Sequence, residues 1–412
     1  MKQQKIYLDH SATTPVDPQV LEAMLPYLKE NFGNASSAHS FGQEAMKGVD
    51  QARETIANFL GAKPKEIIFT SGATESNNLA TAGVMRFLQE KLAGQKLHVI
   101  TSAIEHPAIL EPIRKMEKEG VRATFLPVSN KGLVEVAEVK KAITPETVLI
   151  SIMYVNNEIG TIQPIAEIGR LVKEIRAERQ KQGNKLPLIF HTDAVQAVNY
   201  CDCRVDEIGV DLMSISGHKI YGPKGIGALY VREGIIIEPM QLGGHQERGI
   251  RSGTLNTPGI IGLGKAIELV ISHQSSARPA SRSEAGVIST IKNLRDKLIE
   301  GVLRAIPGVQ VNGDLEKRVA SNAHFSFPNA EGESILLMLD LEGIAVSTGS
   351  ACASGSLSPS HVLLAMGIPD EIAHGSLRVT LGRYTTEKEI DKFLEVLPPI
   401  INKLRQMSPI KK

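Results

Sequence analysis

The chain has 412 residues, 42% of them apolar and 22% charged, with a net charge of +1 and three cysteines. That is enough chain for two domains with sizeable cores, in the composition range of a soluble globular protein. A near-neutral balance gives no electrostatic reason to expect nucleic acid or an anionic membrane as partner, and three cysteines are too few for a disulfide scaffold.

No apolar run reaches the length of a membrane span. The start, MKQQKIYLDH, lacks the apolar core of a secretory signal, so a reducing cytoplasm is the expected compartment. Tyr7 to Pro15 (YLDHSATTP) and Gly33 to Gly42 (GNASSAHSFG) are small and polar, and read as turn and cap chemistry without a catalytic role. Glu66 to Thr70 reads as a buried strand. A small-residue turn, Ser71 to Asn77, follows it, and a helical pattern runs from Asn78. Free N–H groups and the positive end of a helix dipole at such a junction suit a phosphate, although Thr74 or Ser76 would equally serve as a plain cap.

Leu97 to Thr101 is a second strand, with Glu105-His106-Pro107 just beyond it. A third, Val148 to Val155, ends in Asn156-Asn157, an amide pair able to hydrogen-bond a phenolic or carboxylate oxygen. Ala177 to Lys185 is polar and charged, and reads as a solvated loop insertion. Leu188 to His191 resumes an apolar strand and delivers Asp193 and Gln196. No ligand cluster with metal spacing accompanies Asp193, so no metal is expected there. Cys201 and Cys203 flank Asp202 near an expected strand start. One C-x-C is too little for zinc, and both read as inert small hydrophobes.

Leu212 to Ile215 is another β-branched run. It ends in Ser216-Gly217-His218-Lys219, after which Gly222-Pro223 and Gly225 turn the chain. A lysine just past a strand end, among small neighbours, is well placed to form a Schiff base, provided its pKa is lowered from about 10.4. A solvated loop lysine is the plain alternative. Arg248 to Asn256 is small, polar and basic. Ser272 to Gly286 is poor in apolar residues and reads as a linker or solvated insertion. Val346 to Ser360 is almost all Ser, Gly, Ala and Thr, a composition that predicts a mobile loop carrying an exposed thiol at Cys352. Ser376 to Tyr384 reads as a strand with Arg378 and Arg383 on opposite faces.

Strands alternate with helical patterns through the first two-thirds. This predicts an α/β domain with a mostly parallel mixed sheet, and Thr74, His106, Asn157, Asp193, Gln196 and Lys219 all fall at strand ends, where such sheets bind ligands. The segments SGHKIYGPKG, TSGATESNN, YLDHSATTP and STGSAC resemble those of the NifS/IscS-like cysteine desulfurases. These are class-V members of the fold-type-I enzymes that use pyridoxal 5'-phosphate (PLP). The resemblance spans Tyr7 to about Leu394. Ser11 stands where the family usually has Ala, and Ala35 where it usually has Pro.

The resemblance implies the fold-type-I PLP-dependent transferase fold. Its large domain would cover 14–265, and a smaller α/β domain 1–13 and 266–412, with the cysteine loop at 346–360. It assigns Lys219, His106 and Cys352 to catalysis, Cys352 as sulfur acceptor. Cofactor contacts would come from Ala73, Thr74, His106, Asn157, Asp193, Gln196, Ser216, His218 and Lys219. Thr254 would reach the partner subunit's cofactor in a homodimer. Arg378, with Asn157, would bind the carboxylate of L-cysteine, since bidentate pairing favours Arg over Lys. Sulfur would pass to an acceptor protein such as an iron–sulfur scaffold. A class-V aminotransferase, a selenocysteine lyase and a non-enzymatic sulfur-delivery scaffold are the rival readings.

Overall fold

The computed structural model describes residues 5–275, 286–348 and 359–407. Its strands are β1 (Ile6–Tyr7), β2 (Ile67–Thr70), β3 (His98–Ser102), β4 (Arg122–Leu126), β5 (Thr147–Ser151), β6 (Ile189–Asp193), β7 (Leu212–Ser216) and β8 (Gly227–Val231). They continue with β9 (Gln310–Val311), β10 (Asn322–Ser326), β11 (Ile344–Ala345) and β12 (Ser376–Thr380). Seven form one sheet in the order β2-β8-β7-β6-β5-β3-β4. Only β8 runs against its neighbours, so the sheet is mixed but mostly parallel.

The strands are short apolar runs because helices cover both faces. Alternate residues divide between two cores: Ile67, Phe69, Met213, Ile215, Ala228 and Tyr230 face one, while Ile68, Leu212, Leu229 and Val231 face the other. A third core joins β10 and β12 to the helices Val287–Ala305, Gly332–Leu341 and Glu387–Met407. Ile6 and Leu8 of the amino-terminal arm also pack there. The arm is fixed by parallel pairing of β1 with β11 and by a bridge between Asp9 and Thr380.

Helix Thr257–Ser275 gives Ile260, Leu263, Ala266, Ile267, Leu269 and Val270 to the first core. We therefore propose that the larger unit extends past 265 to the end of this helix. Among the described residues no helix is long and apolar enough to cross a membrane, and no group of three His, Cys, Asp or Glu side chains is placed to hold a metal ion.

Several local expectations are corrected. The run 177–185 is only partly loop: helix Ile165–Lys181 takes in its first five residues, and the chain leaves the helix at Gln182. Its Arg179 is buried and donates to the carbonyls of Thr147 and Thr144, so a charged residue here is an inward anchor. Ser272 to Ser275 likewise belong to a helix rather than a linker. The expected helix at Asn78 begins at Ala73 instead, directly after Gly72 at φ +150°. The strand expected to reach Val155 ends at Ser151, although Ile152 and Tyr154 still donate to the carbonyls of His191 and Asp193. Cys201 and Cys203 precede a helix, Val205–Ile208, not a strand. The carboxy-terminal strand stops at Thr380, which leaves Arg383 beyond it.

One close approach ties the sheet to the first turn after β2. A Cβ on Gly227 would lie 2.6 Å from the Ile215 carbonyl and 2.8 Å from the Cα of Gly72. Neither neighbour is a flexible side chain, so the clash cannot relax cheaply. Gly227→Ala is expected to destabilise the protein by roughly 1–3 kcal/mol. The check is the urea unfolding midpoint, and a change too small to measure would show that the backbone yields here.

Candidate active site

The carboxyl ends of β2, β3, β5, β6 and β7 open on a cavity of about 570 Å³. Each strand contributes through the turn that follows it, as expected for an open α/β sheet. After β2, Gly72 has no side chain to cap the helix Ala73–Asn78, and the first turn, with Ala73 and Thr74, lines the cavity. That helix runs through a π turn, Leu79–Gly83, into Val84–Lys91, so its dipole is longer than six residues imply.

After β3, His106 caps helix Pro107–Lys118: its Nδ1 accepts the amide of Ala108 at 3.1 Å. Burial lowers its pKa, with Asp193 opposing and Lys219 and His361 assisting. A neutral ring with Nδ1 occupied as acceptor carries its proton on Nε2. Glu105, next to it, is fully enclosed, and burial pushes its carboxyl up to about 8.

After β5, Asn157 lines the cavity while Asn156 is buried behind it. The Asn156 amide donates to Ile104 and its Oδ1 accepts from Glu158 and Ile159, so it builds the turn. This resolves which of the two adjacent amides faces the site.

At the end of β6, Asp193 is buried. One oxygen accepts Asn77 Nδ2 at 2.7 Å and the other the Val195 amide at 3.0 Å. Two fixed donors hold the carboxylate in one orientation. Gln196, one turn on, donates to the Ser11 carbonyl at 3.0 Å. After β7 come Ser216, His218 and Lys219, all on the cavity wall. Lys219 Nζ donates to the carbonyls of Ser11 and Ala12, each at 2.6 Å. His218 Nδ1 lies 3.2 Å from Thr13 Oγ1.

From the smaller unit, β12 contributes Arg378, which is buried. It donates to Asp9 Oδ1 at 2.9 Å and to the Asn157 carbonyl at 3.1 Å, and its Nε has no partner among the described residues.

One expected site residue among those described is not in this cavity. Thr254 is exposed and outside it. Cys352 lies outside the described residues, as does the rest of 349–358. Cys201 and Cys203 are poor nucleophiles: burial pushes the first thiol up to about 12 and the second well above the ordinary value.

The sequence reading missed the arm. Ser11, Ala12 and Thr13 line the cavity and receive Lys219, although they read as plain turn residues. It also missed Asn77 and Asp9, the partners of Asp193 and Arg378. Their signal was present only as polar residues inside otherwise small or apolar segments.

An amine, an oriented carboxylate and an uncapped helix start, set around one space, define a class of catalyst. The sequence matches the family described as aminotransferase class-V over residues 6–393, and the chain belongs to that family. Its kinship within the family is with the cysteine desulfurases. It is 51% identical to "Cysteine desulfurase IscS" of Dictyoglomus turgidum, over 99% of this chain and 97% of that one. A solved NifS-like protein superposes with a TM-score of 0.85 at 37% identity, covering 97% of this chain and 100% of that one. "SspA in complex with cysteine" gives 0.77 at 37% identity, over 93% and 100%.

The family depends on PLP. The donor set fits that cofactor: Lys219 could supply the amine, Asp193 an anion for the ring nitrogen, and the turn at Ala73-Thr74 the N–H groups for phosphate.

Two outcomes follow from this geometry. Asn77→Ala removes one donor from a buried carboxylate, a bond worth about 1.5–3 kcal/mol. PLP affinity, measured by absorbance titration, is expected to fall about 10- to 100-fold; an affinity within twofold of wild type would mean that Asp193 needs no such support.

His218 is lowered to about 4, by burial first and then by Lys219 and Lys224. Between about pH 6.5 and 4 the unfolded chain takes up a proton that the folded ring refuses, so stability from the neutral ring is lost as pH falls through that window. Ring 15N spectra of the cofactor-free protein are expected to show His218 neutral at about pH 6. A midpoint near 6.5 would contradict the burial argument.

Proposed function

We propose that the protein converts L-cysteine to L-alanine with PLP, leaving the sulfur as a persulfide on Cys352 for transfer to an acceptor protein. The carrying observation is that Lys219, Asp193, Ala73-Thr74 and Arg378 line one cavity, with every polar group but the Arg378 Nε oriented by a partner or a helix start.

Arg378 binds the substrate carboxylate, its guanidinium held in plane by Asp9 and the Asn157 carbonyl. Lys219 would hold the cofactor and Asp193 would sit at its ring nitrogen. Gln196 would serve the ring hydroxyl, and Thr74, Ser216 and His218 the phosphate. Bound there, PLP supplies an electron sink for the Cα–H bond of the amino acid. Lys219, as a free amine, takes the Cα proton. His106, also lining the cavity, presents Nε2–H and suits proton delivery. The Cys352 thiolate attacks the substrate sulfur: an S–S bond forms, the Cβ–S bond breaks, and Cβ and then Cα each gain a proton to leave alanine.

The working unit is a homodimer in which Thr254 serves the partner's phosphate. Its exposure, away from the chain's own cavity, supports this, as does a surface apolar cluster: Phe32 and Phe41 are 68% and 53% exposed, with ring centroids 5.7 Å apart. A reducing cytoplasm would keep the Cys352 thiol available, and an iron–sulfur scaffold is one acceptor such a persulfide could serve.

The deciding experiment incubates the purified protein with PLP and L-cysteine, follows alanine and sulfide, and takes intact mass after one turnover. One sulfur atom is expected on Cys352 and none on Cys201 or Cys203. Cys352→Ser is expected to keep cofactor binding and lose sulfur acceptance. 3-Mercaptopyruvate in place of alanine, with the cofactor left in its amine form, would favour an aminotransferase, and sulfur on Cys201 or Cys203 would overturn the assignment of Cys352.

A further inference from the structure

Tyr221 lies two residues past Lys219 and adopts φ +65°, a left-handed conformation in which Cβ crowds the backbone and which few residues but Gly, Asn and Asp adopt. Such a conformation persists only where its surroundings over-determine it. Here every polar group of Tyr221 is engaged. Its amide donates to Thr14 Oγ1 at 2.8 Å, and its carbonyl accepts the Asp17 amide at 2.9 Å. Its hydroxyl accepts the Arg383 amide at 2.7 Å.

The ring is engaged too. The Arg383 guanidinium lies over it, 3.7 Å from the centroid, and its Nη1 pairs with Asp17 Oδ2 at 2.9 Å. Both charged side chains are almost completely buried. Tyr384 closes the group, its hydroxyl donating to the same Asp17 oxygen at 2.7 Å. Arg383 is not on the cavity wall and so has no route to substrate.

The turn has two outputs. It sets the backbone that carries Lys219, through the Gly222 and Ile220 amides that donate to the Gly217 carbonyl. It also sets the arm: Thr14, which receives the Tyr221 amide, donates through both its own amide and its hydroxyl to the His218 carbonyl. Two residues upstream of Thr14 is Ala12, whose carbonyl receives Lys219 Nζ together with that of Ser11.

We propose that Arg383 is a positioning residue for Lys219: stacked on Tyr221 and paired with Asp17, it holds the strained turn that fixes both the lysine backbone and the arm carbonyls facing its amine. The proposal rests on Lys219 being the cofactor lysine. Lys219→Ala tests that reading separately, because turnover surviving that change would sink it whatever Arg383 does.

The test uses the PLP-loaded, full-length enzyme. Arg383→Gln is expected to lower kcat more than threefold, with KM for cysteine changed less than threefold. The visible circular dichroism of the bound cofactor should weaken in step. Arg383→Lys, which can still sit over the ring and pair with Asp17, should recover most of both signals. In a Tyr221→Asn background, where the left-handed conformation is tolerated, adding Arg383→Gln should change kcat less than twofold. A second cycle, with Asp17→Asn, carries the same comparison if the Tyr221 variant does not fold; there the double variant should be no worse than the poorer single one. A kcat within threefold of wild type, with or without a lower Tm, would make Arg383 purely structural. Losses that multiply in the two cycles would mean it acts by another route.

Discussion

Everything in the site depends on where one amine can be put. Lys219 Nζ lies in a partly buried pocket against two carbonyls, those of Ser11 and Ala12. A desolvated ammonium is costly unless its donors are satisfied, and main-chain oxygens satisfy them without adding a competing charge. Those carbonyls belong to the amino-terminal arm, so the arm cannot be regarded as a decoration on the larger sheet. Its Ile6 and Leu8 are packed in the core of the smaller unit, and its Asp9 orients Arg378. One stretch of nine residues, 6 to 14, touches the third core, Arg378 and Lys219.

Much of this was legible beforehand, and the reasons are physical. The strand ends were visible because a sheet covered on both faces is written as short apolar runs, and the residue after each run is forced to the edge. Lys219, Asp193, His106 and Thr74 could be located that way. Asn157 could be narrowed only to a pair, because two adjacent amides have the same chemistry; which one turns inward depends on the hydrogen bonds Asn156 makes to Ile104, Glu158 and Ile159. The partners were not legible. Asn77 meets Asp193 across 116 positions of sequence, and Asp9 meets Arg378 across 369. No local pattern encodes such pairs.

The misread helix has the same origin. A run such as AERQKQGNK looks solvated because four of its nine residues are charged, yet Arg179 points inward to the main-chain carbonyls of Thr144 and Thr147. Charge in a sequence reports a demand for partners, and water is only one way to meet it. Glu75 and Arg251 show the same principle beside the cofactor cradle. Their 2.9 Å pair ties the segment that carries Thr254 to the helix start that carries Thr74. A chain that presents one threonine outward thus anchors it to the threonine it keeps for its own cavity.

The pairing of β1 with β11 sets a timetable for synthesis. Ile6 is made before the large sheet, but its partner Ile344 is made only after it. Asp9 waits longer still, for Thr380. Contacts this distant in sequence form late, because loop closure must precede any gain from them. The large sheet, with its own two cores, can collapse while the arm is still unplaced, and Lys219 then faces water without its carbonyl partners. The amine acquires its final surroundings only when β11 and β12 hold the arm, so a chain in which that pairing has not formed holds Lys219 in an unfinished seat.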